Sequence, residues 1–328
     1  GGILNSFATN AKLGKGEYLV AEADESDKSF LMLQPSISII TNIENDHLIN
    51  YQDNFQNLEN AFVEFAKKLP FDGLLIVCGD DPVIKKLIQK FSRPVVTYGF
   101  NKSNNYVISQ YKSNNFKSSF SLSHDQKKLF TTNLNMLGPH NALNATAAAI
   151  LALEEGIDPD LIKKSLGKFL GIARRMQVLG EIKNNNISSI LIDDYGHHPT
   201  ELRSTIKSIR TSMPEKKITM VFQPHRYSRT RDLYEEFLEA FKLVDELILL
   251  EVYSAGENKI KGCSSSDLVK SMKIISNTSI SLAESYKDLT YKIKSSIKER
   301  DGVLLMQGAG DISSISKKIF EKFNNGTG

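Results

Sequence analysis

The sequence predicts an α/β protein of two domains, the first of which contains a small antiparallel meander. Three observations predict it. The chain has 328 residues, ample for two domains with well-buried cores. Short apolar runs alternate with amphipathic segments of helical period, which favours mostly parallel sheets covered by helices. One interval, Tyr106 to Leu134, breaks that alternation with Ser-, Asn- and Lys-rich sequence.

The elements follow in order. Tyr18 to Ala21 reads as a buried strand, and so do Ile37 to Ile40, Leu74 to Val77 and Val95 to Tyr98. Between them, Asn54 to Leu69 carries Phe55, Leu58, Phe62, Phe65, Ala66 and Leu69 at helical spacing. Asp81-Pro82 opens a helix to Phe91. Within Tyr106 to Leu134, short alternating runs separated by polar turns at Lys112 to Asn115 and His124 to Lys128 predict the meander. Helices follow at Asn141 to Glu155 and Asp158 to Phe169, with Gly156 stopping the first and Pro159 in the opening turn of the second. A second α/β set begins near Arg174. Its strands are Ile187 to Ile192, Ile218 to Phe222, Leu247 to Glu251, Ser279 to Leu282 and Val303 to Met306. Helices fall between at Thr200 to Met213, Thr230 to Val244, Ser265 to Met272 and Tyr286 to Lys298, and Ser313 to Phe323 closes the chain.

Composition excludes several classes. Lys plus Arg is 41 and Asp plus Glu 38, a net charge of +3. That scattered balance argues against a nucleic-acid partner. No apolar stretch is long enough to span a bilayer, so no membrane partner is expected. Cys78 and Cys263 are the only cysteines, which argues against a disulfide framework and for a reduced, cytoplasmic setting. The oligomeric state is not legible.

Six motifs carry chemistry. E-A-D-E-S-D at Glu22 to Asp27 and T-N-I-E-N-D-H at Thr41 to His47 follow predicted strands, and strand ends in an open parallel sheet line the ligand crevice. Glu22 and His47 there could hold a divalent ion; equally, Glu22 could be a solvated acid and His47 a helix cap. G-P-H-N-A-L-N-A at Gly138 to Ala145 sets Asn141 and Asn144 one turn apart. Their amides could read an adenine edge, although capping explains one of them. G-I-A-R-R-M-Q at Gly171 to Gln177 offers two arginines for phosphate oxygens, or for a structural ion pair. D-D-Y-G-H-H-P at Asp193 to Pro199 supplies Asp194 and two candidate general bases, His197 and His198. Q-P-H-R-Y-S-R-T-R at Gln223 to Arg231 places Arg226 and Arg229 three apart, suited to clamping a small carboxylate. Gly308-Ala-Gly is read as a tight turn.

Together these motifs, in order along nearly the whole chain, resemble the Mur ligase family. The resemblance implies a central ATPase-like α/β domain with a small antiparallel meander, residues 1–173, and a Rossmann-like C-terminal α/β domain that binds an amino acid, residues 174–328. It implies ATP-dependent ligation of L-alanine to the lactyl carboxylate of UDP-N-acetylmuramate in peptidoglycan precursor synthesis, with Mg²⁺. Glu22 and His47 match the family's metal positions and Asn141 and Asn144 its adenine reader. Arg175 and Asp194 match positions near the nucleotide. Tyr195, His197, Arg226 and Arg229 match the L-alanine pocket, and His197, Arg175 and Asp194 are the expected catalytic set. The acidic motif continues S-D-K-S-F-L, unlike the ligase that recycles murein tripeptide, which stays as an alternative. The family's G-x-x-G-K-T phosphate loop is not in the sequence. The expectation is therefore a truncated central domain, inactive by itself. A binding module without turnover is the rival reading.

Overall fold

The computed structural model describes residues 3–5, 9–45, 48–114, 116–184, 187–297 and 301–324. The chain divides into two compact units. One is Asn10–Phe169; the other runs from Leu170 onward and takes in the first described residues, where Leu4 bridges Ile172 and the Ala173 N–H donates to the Ile3 carbonyl.

The first unit is one six-stranded sheet in sequential order. β1 (Ile37–Ile40), β2 (Leu74–Cys78) and β3 (Val95–Gly99) run parallel, and β4 (Tyr106–Asn114) joins β3 in parallel. β5 (Lys117–His124) and β6 (Lys127–Leu134) then add antiparallel. The expected meander thus extends the parallel sheet. Helix α1 (Phe55–Lys67) starts where the Asn54 side chain accepts the Gln56 N–H, and α2 (Pro82–Leu87) where Asp81 accepts the Ile84 N–H. These caps satisfy N–H groups that a helix start leaves without partners. Helices α3 (Pro139–Glu154) and α4 (Pro159–Lys168) complete the unit. Phe30, Leu58, Leu75, Ile76, Tyr98, Phe120 and Ile150 are all buried in its core, each large apolar side chain contributing about 1.5–3 kcal/mol by leaving water.

One expected strand is not there. Tyr18 to Ala21 lies outside any strand, and Tyr18, Leu19 and Val20 are 68%, 93% and 83% exposed. β-branched, apolar sequence fits a strand only when a ladder partner takes up its backbone hydrogen bonds. Among the described residues this run has no ladder partner, and the sheet ends at β1.

The second unit holds β7 (Gln177–Asn184), β8 (Ile187–Asp194), β9 (Lys217–Phe222), β10 (Glu246–Leu249), β11 (Ser279–Leu282) and β12 (Gly302–Gln307), in the order β11-β10-β9-β12-β8-β7. All pairs are parallel except the β7–β8 hairpin. β9 and β12 are buried along their whole length, as expected of central strands covered on both faces. β7 escaped the sequence reading because its pattern is half exposed and broken by a bulge at Val178/Gly180. Gly180, at φ +143°, is needed there: a Cβ would lie 2.6 Å from the Phe320 ring of α10 (Ile312–Asn324). Helices α5 (Pro199–Ser212), α8 (Ser265–Ile275) and α9 (Tyr286–Ser296) match expectation. The expected helix Thr230 to Val244 is instead two, α6 (Tyr227–Asp232) and α7 (Tyr234–Phe241), broken at Leu233. From β8 the chain passes to β9, continues outward to β10 and β11, then returns to insert β12 between β9 and β8. The order reverses there, and the carboxyl ends of β8, β9 and β12 form the kind of crevice where open α/β sheets take ligands.

Candidate functional site

The segments around that crevice carry polar side chains. Asp194 ends β8 and is buried. Its carboxylate accepts the Met176 N–H at 2.8 Å, the Gly196 N–H at 2.9 Å and the Gln307 side-chain amide at 2.6 Å. Burial pushes its carboxyl above the usual range, against the pull of those N–H groups and of Arg175. The geometry makes Asp194 a brace that sets the two loops carrying Arg175 and His197.

The paired arginines take different tasks. Arg174 donates to the Gly308 carbonyl at 2.7 Å and lies 4.7 Å above the Tyr195 ring, so it staples the turn after β12. That turn is tight, as expected: Gly308 has φ +149°, and a Cβ would come 2.7 Å from the Gln223 carbonyl. Arg175 is half exposed, donates to Glu201 at 3.1 Å and covers the other part of Tyr195 at 5.4 Å.

The paired histidines divide likewise. His198 caps α5, its Nδ1 accepting the Thr200 N–H at 3.3 Å. His197 is 16% exposed, with Nδ1 3.3 Å from the Tyr195 carbonyl and 3.7 Å from Glu201. Its ring meets Tyr195 edge-on at 5.4 Å and faces His225 at 5.9 Å.

His225, after β9, was not singled out in the sequence, although it stands inside a quoted motif. It stacks on Tyr253 at 5.4 Å, and its Nδ1 lies 3.4 Å from Arg229. Burial, His197, Arg229 and Arg226 together push its imidazole down to about 4, so it is neutral near pH 7. Arg226 is exposed, holds φ +73° at the start of α6 and donates its N–H to the Tyr253 carbonyl. Glu257 accepts the Ser228 N–H at 2.9 Å and its hydroxyl at 2.6 Å, which closes the loop after β10 onto α6. Two arginines, a neutral imidazole and a second histidine beside a carboxylate come together at these strand ends, a set suited to a small zwitterion. The guanidinium groups suit a carboxylate, and His197 suits a proton leaving an ammonium.

In the first unit, Asn141 sits in the third position of α3. Gly138 is the cap, so Asn141 is not one. Its amide donates to the Leu137 carbonyl at 2.6 Å and contacts His140 at 3.1 Å. Asn144 is exposed one turn on. Glu22 is exposed in a loop, not at the strand end expected. His47 lies outside the described residues. The acidic loop is tied to the turn Leu48–Tyr51: Asn50 donates to the Ser26 carbonyl at 2.6 Å and Tyr51 to the Glu25 carbonyl at 2.5 Å. Burial raises the Tyr51 hydroxyl to about 12, helped by Glu25, Asp27 and Asp24. That negative field and the Glu22 carboxylate fit Mg²⁺, which takes oxygen ligands and keeps several waters. No cluster of three or more His, Cys, Asp or Glu suited to a metal occurs among the described residues.

Residues 3–152 match the Mur ligase middle domain, and residues 174–310 match the Mur ligase, glutamate ligase domain. The chain belongs to the Mur ligase family. Among solved structures, this Mur ligase is similar to UDP-N-acetylmuramate-alanine ligase MurC from Thermotoga maritima. The identity is 26%, the TM-score 0.79, and the match covers 99% of this chain and 68% of that one. MurF from Acinetobacter baumannii matches at 17% identity and TM-score 0.70, over 90% of this chain and 62% of that one. MurF from Thermotoga maritima, solved in complex with ADP, matches at 16% and 0.66, over 88% and 62%. The chain thus spans about two thirds of the length of these relatives. Among the described residues no helix is long and apolar enough to cross a membrane.

Proposed function

We propose that this Mur ligase joins L-alanine to the lactyl carboxylate of UDP-N-acetylmuramate at the expense of ATP. One observation carries the reading: Arg226, Arg229, neutral His225 and His197 gather at the carboxyl ends of β8 and β9, where they suit an amino-acid zwitterion. The 26% identity to an alanine-adding ligase across 99% of the chain supports that choice of amino acid.

In this reading the γ-phosphoryl group of ATP moves to the lactyl carboxylate and ADP leaves. The L-alanine amine attacks the acyl phosphate, and the tetrahedral intermediate expels phosphate to leave an amide. Arg226 and Arg229 hold the alanine carboxylate. His197 takes the proton that the ammonium must lose before it can attack. Arg175 reaches phosphate oxygens, Tyr195 walls the pocket, and Asp194 braces both loops. Asn141 and Asn144 read adenine; the relative solved with ADP supports nucleotide use. Mg²⁺ bound by Glu22 and His47 would screen phosphate charge.

The test has two arms. Phosphate release from ATP is measured with UDP-N-acetylmuramate and a panel of amino acids, on the protein at its full natural length. Dependence on L-alanine supports the reading. Dependence on D-alanyl-D-alanine with a peptide-bearing acceptor, the specificity named for a ligase from Acinetobacter baumannii, overturns it. Calorimetry of the chain itself with ATP and L-alanine then separates a ligase from a binding module. Binding without turnover in the full-length protein would favour the module.

A further inference from the structure

Helix α5 begins with Pro199, and Glu201 occupies its third position. A capping box asks one thing of a glutamate there, to accept the N–H of the cap residue. Glu201 does more. Its Oε2 accepts both the His198 N–H at 3.1 Å and the His197 N–H at 2.8 Å, and lies 3.7 Å from the His197 ring Nδ1. Its Oε1, which the cap does not use, receives Arg175 at 3.1 Å. Gly196 lets the carboxylate sit this close: a Cβ there would lie 3.2 Å from the Glu201 Cβ and 2.4 Å from the Gln307 amide. The side chain is one-third exposed. Burial opposes its charge, but His197, the two backbone N–H groups and Arg175 outweigh burial and bring its carboxyl down to about 2.

We propose that Glu201 is a positioning residue for the ligation, a single carboxylate that aims Arg175 with one oxygen and His197 with the other. The role rests on the ligase reading above, in which Arg175 serves the phosphoryl group and His197 the amine. Those two groups serve successive steps at one substrate carboxyl group, the phosphoryl transfer to its oxygen and the attack of the amine on its carbon. A shared carboxylate fixes their separation, so that neither can swing away without breaking a charge-assisted bond. The same charge also sets the proton affinity of His197. Against that ring stand Glu201 on α5, His225 after β9, which itself meets Arg229, and the Tyr195 ring. His225 is neutral near pH 7 and its ring centre is farther off than the carboxylate. Glu201 therefore places a negative charge 3.7 Å from the ring.

The test is a histidine titration by NMR on the isotope-labelled chain, with L-alanine binding by calorimetry across the same pH range. E201Q keeps an oxygen for the two cap amides and removes the charge. The His197 midpoint is expected to fall by about one pH unit, the size of effect an opposite charge within about 4–6 Å produces. The pH profile of L-alanine binding is expected to move with it. R175A leaves the cap intact and unmasks the carboxylate, so the midpoint is expected to rise; this arm holds even where E201Q folds poorly. A His197 midpoint unmoved in folded E201Q or in R175A, with L-alanine still bound, overturns the role of Glu201. Failure of the unmodified chain to bind L-alanine overturns the ligase reading instead, whatever His197 does.

Discussion

Asp194→Ala should unfold the second unit's crevice before it reveals anything about catalysis. The carboxylate accepts three close donors, at 2.6, 2.8 and 2.9 Å, from Gln307, Met176 and Gly196. Each buried donor left without an acceptor costs about 1–3 kcal/mol. Three would cost about 3–9 kcal/mol, but water entering the space and the loss of a buried charge both offset that. We expect a loss of about 3–5 kcal/mol, a large share of the roughly 5–15 kcal/mol that holds a domain together. Asp194→Asn keeps one acceptor oxygen and sets an NH₂ group against one donor, so its loss should be about 1–3 kcal/mol. The chain has no Trp, so urea unfolding is followed by circular dichroism, and hydrogen exchange at the Met176 and Gly196 amides locates the change. If D194A keeps the normal unfolding midpoint and amide protection yet loses nucleotide affinity, Asp194 is a ligand contact and the bracing argument is wrong.

Three further predictions concern the pocket. Arg226→Ala should weaken L-alanine binding about ten- to a hundredfold, the equivalent of one charged hydrogen bond of about 1.5–3 kcal/mol, and leave ATP binding nearly unchanged; titration with each ligand checks it, and the reverse pattern would make Arg226 a phosphate ligand. His225 is held neutral, its folded midpoint about 4 lying below the ordinary value of 6.5. The stability it confers is therefore complete above about pH 6.5 and is lost as pH falls toward 4, at most about 1.4 kcal/mol per pH unit. Unfolding measured from pH 7 to 4 should be flatter in His225→Gln; an identical slope would refute this. His198→Ala should cost about 1 kcal/mol of stability as a lost cap and spare L-alanine-dependent turnover, whereas His197→Ala should do the opposite. Melting and steady-state rates on the pair decide it.

Strands buried on both faces were legible because an unbroken apolar run such as Val303 to Met306 has few alternatives. β7 was not, since a bulged edge strand with half its residues in water loses the period that marks it. Tyr18 to Ala21 misled for the opposite reason: its residues favour a strand, but pairing is a tertiary fact that local sequence does not contain. The break at Leu233 was equally hidden, because helix-favouring residues continue through it.

The candidate site shows the same limit at finer grain. Sequence located R-R and H-H, but neighbouring identical residues cannot be told apart by spacing. Backbone direction separates them. Arg174 turns to the Gly308 carbonyl while Arg175 turns to Glu201. His198 folds back as a cap while His197 faces His225. In each pair one member fixes a loop and the other is left at the crevice. That division follows from where β12 inserts between β9 and β8. Three loops then leave adjacent strand ends, and each needs an internal bond to stay put. Gln223, Arg174, Asp194 and Glu257 supply those bonds from within the motifs. Much of what looks like catalytic sequence is thus bracing, and mutations there will read as folding defects unless stability is measured beside activity.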